Sequence, residues 1–167
     1  AGGGTQTAGL AFGGDTGPAN VGVTEEYNGS SWSEYGDLNS ARSKLAGAGT
    51  QTAGIGFGGN TGSVSALTEL YNGSSWTETG DLSTARDQLA AAGTTTAGLA
   101  FGGANSTPAV TNSTEEFGGS SWTSGGNMNT ARRYLAGFGI QTAALAVAGA
   151  EPSVSAKVEQ YDGSSWT

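Results

Sequence analysis

The chain has 167 residues, 31 of them Gly, with no His, no Cys and a net charge of −8. Disulfides are thereby excluded, together with the commonest general base, the commonest metal ligand and the thiol nucleophile, so no enzymatic activity, cofactor or metal site is expected. The 6 Lys and Arg are scattered among 14 Asp and Glu, which argues against nucleic acid as a partner, and no apolar run approaches the ~20 residues of a bilayer span, so no membrane insertion is expected.

In chain order, the first legible element is TAGLAFGG at 7–14, which places Ala8, Leu10 and Phe12 on one face of a strand and Gly9 and Ala11 on the other. The face of small residues lets another sheet approach closely. VTEEY at 23–27 follows, with β-branched and aromatic residues that suit a second strand. YNGSSW at 27–32 then predicts a tight hairpin in which Asn28 and Gly29 both take φ > 0. The phrase returns at 71–76, at 117–122 as FGGSSW and at 161–166 as YDGSSW. Its Trp residues, at 32, 76, 122 and 166, are 44, 46 and 44 apart, a period that points to propellers or solenoids.

Within each unit most spacings are constant. Length varies only at 15–22, 60–65, 104–112 and 150–156, which marks these segments as surface loops. In the second unit, strands are expected near 44–50, 52–58, 65–71 and 75–79. Four short antiparallel strands per unit describe a propeller blade. The expected fold is all-β, a β-propeller with blades at about 1–37, 38–81, 82–127 and 128–167. Residues 1–167 then form one propeller domain or a propeller fragment. Leu45, Leu89 and Leu135 are expected to pack with the recurring Tyr and Trp between blades.

The frame of Gly58-Gly59, Glu69, Tyr71, Trp76 and Arg86, with its equivalents in the other units, resembles the kelch repeat. The wording NGSSWTETGDLSTARDQLAAAGTTTAGLAFGG is also similar to the Gly/Thr/Ala-rich kelch-like repeats of marine bacteriophage virion structural proteins. The resemblance implies a phage origin and a structural role. It also implies rings that more often have six or seven blades than four. Four blades can close by themselves as the smallest propellers do, but, beginning at Ala1 and ending within a repeat, the chain is rather expected to be part of a longer protein, or a homo-oligomer in which two chains share a ring.

Glu25, Glu69, Glu115 and Glu159 each lie two residues before the repeated aromatic, and Arg42, Arg86 and Arg132 each lie ten after a Trp. This pattern predicts a partly buried, bidentate ion pair in each blade, Glu69 with Arg86 among them. The fourth Arg is then expected beyond the end of the chain. An Arg ring that contacts an acidic ligand is the alternative. Asp15, Asp37, Asp81 and Glu151 form no dense cluster of the kind Ca²⁺ requires, so they read as solvated surface.

The variable loops and the GDLNSAR linker are expected on one face, and the NGSS turns on the other. Asp15, Asn20, Asn60, Asn105, Asn112 and Glu151 are the candidate ligand-binding residues. The negative charge favours a neutral glycan or a protein over an anionic polymer. The expected function is a non-enzymatic structural and recognition module, located in a virion or extracellularly. Its expected partners are virion proteins or a host-surface glycan or protein. A secreted or cell-surface lectin-like propeller and a cytoplasmic kelch adaptor are the alternatives.

Overall fold

The computed structural model describes residues 1–105, 109–151 and 153–167. Parts of the variable segments 104–112 and 150–156 therefore lie outside the described residues. Blade 1 comprises β1 (Gly2–Thr5), β2 (Ala8–Asp15), β3 (Asn20–Tyr27) and β4 (Trp32–Tyr35). Blade 2 comprises β5 (Ala46–Thr50), β6 (Ala53–Phe57), β7 (Thr68–Tyr71) and β8 (Trp76–Glu78). Blade 3 comprises β9 (Ala90–Gly93), β10 (Gly98–Phe101), β11 (Thr114–Phe117) and β12 (Trp122–Ser124). Blade 4 comprises β13 (Ala136–Ile140), β14 (Ala143–Val147) and β17 (Val158–Tyr161), with its outer strand reduced to the bridge Tyr161↔Trp166. A small hairpin, β15 (Ala150–Glu151) and β16 (Ser153–Val154), stands in its variable segment.

Each sheet is an antiparallel meander in chain order, and the four sheets form a four-bladed β-propeller with no helix among the described residues. The strands of blade 2 are shorter than the sequence suggests, because the residues flanking them are occupied by linker and loop. β1, β5, β9 and β13 are innermost and line a shared channel of about 400 Å³. Their small residues are required by packing. A β-carbon on Gly47 would stand 2.3 Å from Phe12 Cζ, and one on Gly54 would stand 2.6 Å from Leu10 Cδ2. The face left small in blades 2 to 4 is therefore the floor on which the preceding blade's Phe and aliphatic residues rest.

The three internal junctions repeat one set of contacts. Phe12, Phe57 and Phe101 meet Trp76, Trp122 and Trp166 of the next blade, with ring centroids 4.6, 4.7 and 4.9 Å apart. Each indole N–H reaches back to a Thr hydroxyl, Thr24, Thr68 or Thr114, at 2.8, 3.0 and 3.0 Å. Leu45, Leu89 and Leu135 join these clusters, as the sequence predicts. The indole thus buries its apolar body while its one donor is satisfied, the condition under which a buried Trp stabilises a junction.

The buried charges require a correction. Arg42 pairs with Glu69 at 3.2 Å, Arg86 with Glu115 at 3.0 Å and Arg132 with Glu159 at 2.8 Å. Glu69 and Arg86 are not partners. Each Arg instead precedes its Glu, so Glu25 of blade 1 is the carboxylate left without an Arg among the described residues. The pairs are also fully buried rather than partly, and they are not bidentate. Only Nη2 of each Arg meets the carboxylate, while Nη1 donates to a carbonyl just before the third strand, Leu67 O for Arg42 and Ser113 O for Arg86. The second carboxylate oxygen accepts linker amides: Asn39 N on Glu69 Oε2 and Ser83 N on Glu115 Oε2, both at 2.8 Å. Each pair therefore fastens the incoming linker to the third strand of its blade. Burial lowers the pKa of Arg42 and Arg86, and the facing carboxylate opposes that shift.

The NGSS turn also differs from the tight hairpin expected. The strands end at Tyr27 and resume at Trp32, so the loop has four residues, and only Gly29 has positive φ, at 94°. Asn28 keeps an ordinary backbone, and its Oδ1 accepts the amides of Ser30 and Ser31, both at 3.0 Å. The side chain closes the turn, so a second positive φ is not needed. Asp162 does the same in blade 4, and the donated amides and hydroxyl pull its carboxyl down to about 2.

Candidate functional site

The turns and the variable loops lie at opposite ends of the strands. The bridge Ser43↔Asn60 places the linker beside the variable loop of blade 2, and Asp87↔Ala104 and Arg133↔Ala150 repeat this in the next two blades. The C-terminal ends of the linkers thus join the loops on one face as expected, but the linkers start elsewhere: Gly36 N and Gly80 N donate to Ser74 O and Ser120 O in the turns of the next blade, both at 3.2 Å.

At the centre of that face the residue before each core Leu is held at positive φ: Lys44 at 54°, Gln88 at 57° and Tyr134 at 55°. Such a conformation costs a non-Gly residue about 1–3 kcal/mol and persists only where the surroundings impose it. Here the backbone imposes it. Gln88 N donates to Lys44 O and Tyr134 N donates to Gln88 O, both at 2.9 Å, so one ladder crosses three blades. The three side chains, with Leu45, Leu89 and Leu135 below them, line a cavity of about 390 Å³. Lys44 also borders a second cavity of about 310 Å³, with Asp15, Pro18 and Asn20 on its loop side.

The chemistry of the central cavity is mixed. Tyr134 is 61% exposed and presents an aromatic surface, with the Arg133 guanidinium 5.4 Å from its ring centroid. Gln88 is 7% exposed. Its Nε2 donates to Asp87 Oδ1 at 2.9 Å, while its Oε1 is buried with no hydrogen-bond partner. The site therefore offers an apolar floor, an aromatic plate and an ammonium.

The predicted site residues fall into different positions. Asn20 donates to Asn60 O at 2.8 Å, and Asn60 reaches Asp87 Oδ2 at 3.4 Å, which links the first two variable loops to the linker of blade 3. Asp15 lines the second cavity and accepts Gly17 N at 3.1 Å. Asn105 is exposed on the loop of blade 3. Asn112 stands apart from these, because its amide donates to Met128 O at 2.8 Å and braces the linker to blade 4. Glu151 pairs with Lys157 at 3.1 Å, and its carboxyl is held below the usual range, first by Ser155 and then by Lys157. Asp37 and Asp81 accept Thr24 N and Thr68 N, so both are structural caps. The described residues hold no group of three or more potential metal ligands.

Lys44, Gln88 and Tyr134 escape a reading that seeks variation only in loop length. Their signal is a substituted residue inside a fixed frame: ARSKL, ARDQL and ARRYL.

A scan against protein-family models finds no match to this chain, and a search of curated proteins finds none either.

Proposed function

We propose that this propeller is a non-enzymatic recognition module of kelch-like type in a phage virion appendage, and that it binds a host-surface glycan or another virion protein through its loop face. The observation that carries the reading is the contrast between the two faces. One is built from near-identical turns. The other gathers unequal loops around a cavity whose three most individual residues, Lys44, Gln88 and Tyr134, share one backbone conformation. A neutral glycan suits this chemistry, since a sugar face can stack on the exposed ring of Tyr134 beside the Leu45, Leu89 and Leu135 floor. The phage setting rests on the likeness of the repeat wording alone. Single sites of this kind are weak, and many copies on one particle would raise avidity by about 10²–10⁴.

The test is a multivalent display of the chain on beads, probed with host cells and a glycan array. Tyr134→Ala should abolish attachment and leave the melting temperature unchanged, because the ring is 61% exposed. Replacing Ser30 and Ser74 in the turns with Ala should leave attachment intact. The opposite pattern would assign recognition to the turn face.

A further inference from the structure

Each internal junction joins a Trp face of one blade to an acceptor face of the blade before it. Two such faces are left without a partner. On blade 1, Trp32 is 50% exposed, whereas Trp76, Trp122 and Trp166 are 5%, 9% and 4% exposed. On blade 4, Phe138, Ile140 and Val158 are 59%, 57% and 57% exposed. Among the described residues no aromatic pair or hydrogen bond joins blade 4 to blade 1.

We infer that these faces dock on one another between two copies of the chain, head to tail and twice over, closing an eight-bladed ring. Eight is within the range that propellers use. The contact is heterologous, each chain giving its Trp face to the other and accepting the other's on blade 4.

Three observations select a second copy. The first is continuity with the internal junctions. Tyr27 occupies the position of Tyr71 and Tyr161, whose hydroxyls donate to Glu26 and Glu116 of the preceding blade. The equivalent residue on blade 4 is Gln160, whose amide oxygen accepts the same hydroxyl. The second is Ala148. A β-carbon on Gly13, Gly58 or Gly102 would stand 2.9, 2.6 or 2.6 Å from the Arg carbonyl of the following linker. Blade 4 has Ala148 there, at φ 58°, so its methyl excludes a linker of the internal kind. The third is volume. Blade 4 replaces the junction Phe with Val147 and places Phe138 where blades 1 to 3 have Gly3, Ala48 and Ala92. Its face remains a continuous apolar surface but is cut differently from the internal ones.

Val158 stands where the other acceptor faces have Thr24, Thr68 and Thr114, so the docked Trp32 indole N–H lacks their hydroxyl. This supplies a specific test. Sedimentation equilibrium of the 167-residue chain should give twice the 16.4 kDa chain mass. Acrylamide should quench all four Trp residues poorly. Trp32→Ala should weaken association at least about 100-fold. Its circular dichroism should be unchanged, because Trp32 is half exposed within one chain. Val158→Thr should tighten association about fivefold at each junction by restoring the acceptor. A monomer, with Trp32 shielded or not, would overturn the inference. So would an oligomer whose affinity responds to neither substitution.

Discussion

The junction of blades 1 and 2 and the junction of blades 2 and 3 are built on the same frame and differ in polarity at one pair. In the first, Tyr71 Oη donates to Glu26 Oε1 at 2.8 Å, and both residues are buried. In the second, the same two positions hold Phe117 and Leu70, packed in one apolar cluster. The two members of each pair lie on different blades, yet hydroxyl and carboxylate are present together or absent together. The reason is energetic. A buried donor or acceptor without its partner costs about 1–3 kcal/mol, whereas an apolar pair of similar shape costs nothing of the kind. The junctions therefore show that units of this repeat are matched in neighbouring pairs.

The comparison is broken most severely by removing what both junctions share. Arg86→Ala leaves Glu115 charged and buried, and should cost about 3–5 kcal/mol in urea unfolding. A double-mutant cycle should show strong coupling of Arg86 to Glu115 and additivity with Glu69. Coupling to Glu69 instead would overturn the pairing.

A subtler change converts one junction into the other. Leu70→Glu alone and Phe117→Tyr alone should each destabilise by about 1–3 kcal/mol, since each buries an unmatched polar group. Together they rebuild the pair of the first junction, and the double mutant should recover about 1.5–3 kcal/mol relative to the sum of the two. Simple additivity in the same urea melts would show that the junctions are not equivalent frames.

The smallest effect is one of pH. Tyr161 donates to Glu116, and burial first, then that bond, pushes its phenol up to about 12 from an ordinary 10.0. The folded chain then keeps a proton that the unfolded chain releases. The contribution is complete below pH 10 and is lost as pH rises toward 12. Tyr161→Phe should flatten the loss of stability across that interval, as followed by thermal melts at stepped pH. An unchanged slope would show that the phenol is not held by Glu116.

Much of the architecture was legible in the sequence. The four Trp residues, the small-residue strands and the confinement of length variation gave the blade, the junction cores and the loop face. Partner choice among the charges was less legible. The interval from each Glu to the following Arg is constant and invites pairing, but the true partners are 27 and 29 residues apart in the other direction, across the variable loop. Only the path of the chain through the blade decides between them. The turn was misread for a related reason. Asn28 can satisfy a tight turn with its backbone or a wider one with its side chain, and the two Ser amides it collects select the second. In the candidate site the loops carried an obvious signal. Lys44, Gln88 and Tyr134 carried a quiet one, because a single substitution in a constant frame resembles drift until the backbone shows that all three face one cavity.

The ladder that joins those three residues has a consequence for engineering. Its hydrogen bonds run through backbone amides and carbonyls, so the scaffold at the cavity mouth accepts side chains of different chemistry, Pro and the β-branched residues excepted because these positions need positive φ and an N–H. A cation, an amide and a phenol already occupy equivalent addresses there. A combinatorial library randomised at positions 44, 88 and 134 should consequently retain the fold across most of its members. The molecule can thus be treated as a small display frame, on which new specificities are selected without redesigning what lies beneath.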